Sequence, residues 1–126
     1  MNTRLLRKVK KAILEHPENT DMGYWVKHDD SLAECGTVGC IAGWVWAKAD
    51  IENLRKLPQV LSWDHRALTS AKRLLDIGSV QANSLFYVAN WPSNFERAFN
   101  NRVTRQAKAR IVADRIDHFI KTKGEE

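Results

Sequence analysis

Two thiols and three glycines fall within ten residues of this chain, Cys35-Gly36-Thr37-Val38-Gly39-Cys40-Ile41-Ala42-Gly43-Trp44. A cysteine at the mouth of a helix is the environment in which a thiol ionises, a metal is held or an anion docks. A thiol nucleophile needs a base, and His28 and His65 are the histidines available to Cys35 or Cys40. The same four residues would be the ligand set of a metal. Structural zinc sites draw on two close ligand pairs, however, and only Cys35 and Cys40 form one, so neither metal nor cofactor is expected. Anion binding asks least of the motif. Gly36, Thr37, Val38 and Gly39 would offer unpaired backbone N–H groups, and small residues let a ligand approach them. Trp25 and Trp91 would then stack on a base, and Arg97, Arg102, Arg105 and Lys108 would neutralise phosphates. Tryptophans in a small helical domain are more often core, and a cysteine in such a place is more often a small buried hydrophobe.

The elements that must position these groups read as helices. Leu5, Leu6, Val9, Ile13 and Leu14 keep a helical period behind Thr3, the expected N-cap, until Pro17 stops it. A polar loop follows to Glu34, with a short extended piece at Tyr24-Trp25-Val26. Thr37 is the expected N-cap of the next helix, with Val38, Gly39 and Cys40 in its first turn. Gly39, Gly43 and Ala47 make a stripe there that another backbone can approach. Asp50 is expected to cap a separate short helix ending at Pro58, and Ser62 a longer one whose left-handed C-cap is Gly78. Ser79 opens another segment. Ser93 and Glu96 form the signature of a capping box, and Thr104 opens a long terminal helix with Ala109, Val112, Ala113, Ile116, Phe119 and Ile120 on its apolar stripe. Six or seven helices with short links predict an all-α single domain over residues 1–121, with 122–126 a frayed tail.

Composition narrows the function classes. The chain has 126 residues, 44% hydrophobic and 28% charged, enough for one domain with a core of its own. No apolar run approaches the roughly 20 residues that span a bilayer, and the basic start is followed by no apolar signal region. A cytoplasmic protein with reduced thiols, in a bacterial or another host cell, is the expectation; homo-oligomers are compatible with the sequence. The net charge of +5 is unevenly spread. Arg4, Arg7, Lys8, Lys10 and Lys11 open the chain without an acid, and Arg97 to Arg110 form a second cluster. Such patches attract phosphate-bearing small molecules, acidic proteins or nucleic acid. Ala71 to Ser79 also has helix–Gly–helix order, but the segment that would enter a groove, Ser79 to Ser84, has no basic residue.

Two resemblances bear on these residues. Glu34 to Cys40 is similar to the opening of papain-like peptidases, which would imply a catalytic histidine on a later strand; His65 instead falls in a predicted helix. A longer resemblance rests on four pieces in order: Met22-Gly23-Tyr24-Trp25, the Cys35–Trp44 motif, Ile77 to Phe86, and Trp91-Pro92. Over residues 22–92 the chain resembles a family of small bacterial and bacteriophage helical proteins. That implies ligand sequestration or partner binding of the kind used in host takeover or anti-defence. The reading is therefore a non-enzymatic protein that sequesters a nucleotide-type anion or an acidic partner. The alternatives are a nucleic-acid-associated helical protein using the basic clusters, and a cysteine-dependent hydrolase on Cys35 or Cys40.

Overall fold

Residues 1–20, 22, 27–28, 37–38, 40–55 and 66–126 are described in the computed structural model of the chain, and they bear out the all-α class. Six helices account for most of them: α1 (Thr3–Glu15), α2 (Ile41–Arg55), α3 (Arg66–Leu75), α4 (Ser79–Phe86), α5 (Ser93–Asn100) and α6 (Arg105–Lys121). One antiparallel ladder joins β1 (Lys27–His28) to β2 (Thr37–Val38), with Lys27 opposite Val38 and His28 opposite Thr37. The extended piece expected at Tyr24–Val26 lies outside the described residues, and the paired strand begins directly after it.

In α1, cations and apolar residues alternate at helical spacing, which turns Leu5, Leu6, Val9, Ala12 and Ile13 inward. Its cap is Asn2 rather than Thr3, because the Asn2 Oδ1 accepts the Leu5 N–H at 3.1 Å. The Asn2 backbone N–H also donates to the Leu75 carbonyl at 2.7 Å, tying the start of α1 to the end of α3. Pro17 opens a single tight turn, Pro17–Asn19, that ends the first helical unit.

The expected start of the second helix is corrected. Thr37 and Val38 are β-branched and pair as strand β2, and α2 begins only at Ile41. Cys40 takes the position before the first turn, its carbonyl accepting the Trp44 N–H at 2.9 Å. Nor does Asp50 start a new helix: α2 runs through it without a break to Arg55. Residues 41–47 are all buried, so the first half of α2 is enclosed on every side and needs no polar face there. The Trp44 indole N–H meets its need by donating to the Thr20 Oγ1 at 3.2 Å. Ser62 lies outside the described residues.

Both corners after α3 and α6 are closed by the same device, and after α3 the residue is not the Gly78 expected. Asp76, at φ 54°, turns left-handed after α3, with its N–H on the Arg73 carbonyl and the Ile77 N–H on the Lys72 carbonyl. Those two bonds form the Schellman pattern. Gly78, at φ −80° and ψ 172°, is extended and stands at the start of α4, where its N–H donates to the Gln81 Oε1. After α6 the left-handed residue is Lys123, at φ 55°, followed by Gly124 at φ 74°. The Gly124 N–H reaches back to the Phe119 carbonyl at 2.9 Å. Pro92, not Ser93, precedes the first turn of α5, and no side chain caps it. Thr104 caps α6 as expected, accepting the Ala107 N–H at 3.1 Å.

α6 packs along α1, α2 lies on α1 and α3, and α5 lies on α6. The core between them gathers Leu6, Val9 and Ile13 with Ile41, Trp44, Val45, Leu75, Leu85, Val112, Ile116 and Phe119. Each such aliphatic or aromatic side chain contributes about 1.5–3 kcal/mol relative to exposure. No helix among the described residues is long and apolar enough to cross a membrane.

Candidate functional site

The link between α5 and α6 positions the charged groups of the second basic cluster. Thr104 fixes where α6 begins, so Arg105 and Lys108 fall in its first turn, one helical step apart, with no acidic residue there. Phe99, at the end of α5, is buried, and the Lys108 Nζ stands 4.7 Å from the centre of its ring. The Arg105 Nη1 donates to the Glu18 carbonyl at 2.7 Å, which anchors the guanidinium to the turn after α1. Together these side chains line a cleft of about 410 Å³. Val88, Val103, Val112 and Met22 form apolar wall, and Thr20 and Asn100 add hydrogen-bonding groups. Val103 is 94% exposed at this cleft, a large apolar side chain left in water.

The lining combines positive charge with apolar surface. Two cations and two neutral polar groups face an apolar wall, and no carboxylate, imidazole or thiol is present among the described lining residues. The positive end of the α6 macrodipole adds to the two side-chain charges, since Arg105 is the first helical residue. A ligand that matches carries negative charge at one end and a flat or apolar body at the other.

The expected site residues divide accordingly. Arg105 and Lys108 come together in the cleft. Arg97 is exposed on α5 with its Nε directed to the Ser93 carbonyl, and Arg102 is exposed in the link; neither lines the cleft. Trp91 is corrected: it is 4% exposed, donates its indole N–H to the Leu85 carbonyl at 2.8 Å and meets Phe99 edge-on at 5.5 Å. A side chain so enclosed stacks on its own core and offers no platform to a base. Thr37 and Val38 belong to the ladder, so they are not the first turn of a helix with free N–H groups. Trp25, Cys35, Gly36, Gly39 and His65 lie outside the described residues. His28 is placed only as the backbone of β1. Cys40 is 2% exposed within the core cluster, an environment in which a thiol packs and does not attack.

A second polar feature escaped the sequence. Arg115, on α6, has no exposed surface at all. Its Nη2 donates to the Ser84 carbonyl at 3.0 Å and pairs with the Glu126 carboxylate at 2.5 Å. The guanidinium carbon lies 5.7 Å from the Phe119 ring centre and 5.9 Å from those of Trp91 and Phe95. Its Nε and Nη1 have no hydrogen-bond acceptor, so the rings are their surroundings. Burial pulls the guanidinium below its ordinary basicity, and the hydrogen bond and charge of Glu126 act the other way. The Glu126 side chain is only 5% exposed, and its other oxygen lies 3.4 Å from the His118 Nε2. Residues 122–126, expected to fray, therefore fold back onto the helix they follow. The signal for Arg115 was its phase: it lies three residues after Val112 and four before Phe119, on the apolar stripe.

Compared with protein-family models, curated proteins and solved structures, the chain has no match.

Proposed function

We propose that this is a non-enzymatic binding protein that sequesters a phosphate-bearing small molecule of nucleotide type in the α5–α6 cleft. The observation that carries the reading is the cleft itself, in which Arg105 and Lys108 stand beside the apolar wall of Phe99, Val103 and Val112. Its volume lies within the usual range for small-molecule sites, about 300–1,000 Å³. The phosphate would lie against the two cations and the start of α6, and the base against Val103 and the apolar wall. Binding would cover Val103 and bring it out of water. The cytoplasmic location expected from composition, and the bacterial host and anti-defence role implied by the family resemblance, belong to the same proposal.

Calorimetric titration with a panel of mono-, di- and cyclic nucleotides tests it. One class should bind, be released chemically unchanged on denaturation, and lose about 100-fold or more in affinity in Lys108→Glu. The loss of one charge-assisted contact, about 1.5–3 kcal/mol, and the like charge set beside the phosphate in its place give that scale. Val103→Asp should weaken the same ligand without changing the fold, since the side chain packs against little. A panel without any binder, or a ligand indifferent to both substitutions, refutes the assignment.

A further inference from the structure

The N-terminal cations form a second cleft that the proposed small-molecule site does not use. Arg4 and Lys8 are one helical step apart on α1, and Lys48 faces them from α2. The three line a cleft of about 390 Å³ whose remaining walls are Leu5, Ala49 and Leu74, with Asn2 at one edge. No residue of this cleft lines the other one.

The pairing pattern sets these cations apart. Elsewhere on the same helix, Lys10 meets Asp117 at 2.6 Å and Lys11 lies 3.8 Å from Glu15. Arg4, Lys8 and Lys48 are exposed, and among the described residues none has a hydrogen bond or ion pair through its side chain. Arg7, also exposed on α1 and also without a partner, extends the positive strip beyond the cleft. Like charges held together in one concavity repel, and no carboxylate among the described lining residues offsets them. An anion in the cleft would offset that repulsion.

The walls say which anion. The cleft has no aromatic side chain and so no surface on which a base would stack. The exposed large hydrophobics among the described residues, Leu14, Val80 and Val103, are not part of it, so it has no wedge to insert into a bilayer. What remains is charge alone, spread along a helix face and across to its neighbour. We infer that Arg4, Lys8 and Lys48 form a sequence-independent site for the phosphate backbone of a nucleic acid. Backbone phosphates are regularly spaced, need no base contact and bind through counterion release.

Fluorescence anisotropy of the intact chain with a short labelled duplex of random sequence tests this across a salt series. Three neutralised phosphates predict a slope of about −2.7 in log K against log salt, or about 40-fold weaker binding between 50 and 200 mM. Lys8→Gln and Lys48→Gln should each reduce the slope by about 0.9, and Arg4→Gln/Lys8→Gln/Lys48→Gln should abolish binding. These side chains are exposed, so circular dichroism should find the fold of all three variants intact. The double variant Arg105→Gln/Lys108→Gln should keep the slope while losing any nucleotide complex, which separates this site from the first. No binding at low salt, a slope near zero, or a slope that follows Arg105 and Lys108 instead of Lys8 and Lys48 overturns the inference.

Discussion

Replacing Glu126 by Gln tests how the end of α6 is held. The substitution keeps the shape and one acceptor oxygen but removes the charge opposite a guanidinium that has no exposed surface. Arg115 would retain Ser84, whose carbonyl and Oγ lie 3.0 and 3.3 Å from its Nη2, and the three surrounding rings. Its Nε and Nη1 already lack acceptors, so nothing else in the pocket takes up the lost interaction. Breaking a buried pair by removing one partner costs about 3–5 kcal/mol. Here the lower end applies, because Thr122–Glu126 can peel away and let water reach the guanidinium. At about 4 °C per kcal/mol for a chain of this length, the Tm should fall by about 12 °C. Hydrogen exchange supplies the local readout: the Gly124 N–H, bonded to the Phe119 carbonyl, should lose its protection before the core does. Arg115→Met should be tolerated, since an apolar side chain of similar volume removes the need for a counter-charge. Glu126→Gln in that background should then change little. A fall of less than about 3 °C in the single variant, or an equal fall in the Arg115→Met background, would show that the pair does not hold the segment.

Two smaller perturbations address the helix ends, and both are read by thermal and denaturant unfolding. Lys123→Gly should stabilise the chain by about 1 kcal/mol, because Lys123 occupies a left-handed conformation at φ 55° that costs an L-residue about that much. A loss of stability there would mean that the Lys123 side chain makes a contribution the backbone argument omits. Thr104→Ala should cost about 1 kcal/mol by leaving the Ala107 N–H without its acceptor. It should also weaken nucleotide binding, since the same cap sets where Arg105 and Lys108 stand; unchanged affinity would count against the placement of the first turn in the cleft.

How far the sequence discloses this molecule depends on the range of the interaction that decides each feature. The helical stripes of α1 and α6 are local periodicities, and most residues read as apolar are buried, although Leu14, at the end of α1, is exposed and Ile120 is half-buried. The N-terminus of α6 is equally local, because Thr104 and the Ala107 N–H are three residues apart. Prediction fails where two short-range options compete and a distant contact chooses. Thr37 is both a good cap and a good strand residue; its pairing partner, His28, is nine residues earlier, and the ladder wins. Gly78 looks like the natural left-handed residue, but Asp76 takes that place, because the two Schellman bonds close two residues earlier. Asn2 displaces Thr3 because it also binds the end of α3, at Leu74 and Leu75, a contact across more than seventy residues. Of the cations read as one cluster from Arg97 to Arg110, only Arg105 and Lys108 share the cleft, since Arg97 lies on α5, Arg102 in the link, and Arg110 is exposed on α6 outside the lining.

The pairing of the charges is what separates structure from recognition in this chain. Exposed pairs such as Lys10 with Asp117 contribute about 0–1 kcal/mol and mark where α1 lies against α6. The Arg115–Glu126 pair is enclosed, costs desolvation, and fixes the terminal segment in one place. The cations at Arg4, Lys8 and Lys48 do neither: they have no partner among the described residues and line one cleft between two helices. Solubility alone would be served by the same charges dispersed over the surface. If they serve an anion, as inferred above, neutralising them should raise the stability of the free chain while removing its affinity for polyanions. A Tm that falls in Lys8→Gln/Lys48→Gln would show instead that these lysines stabilise the fold, and that no repulsion between them awaits an anion.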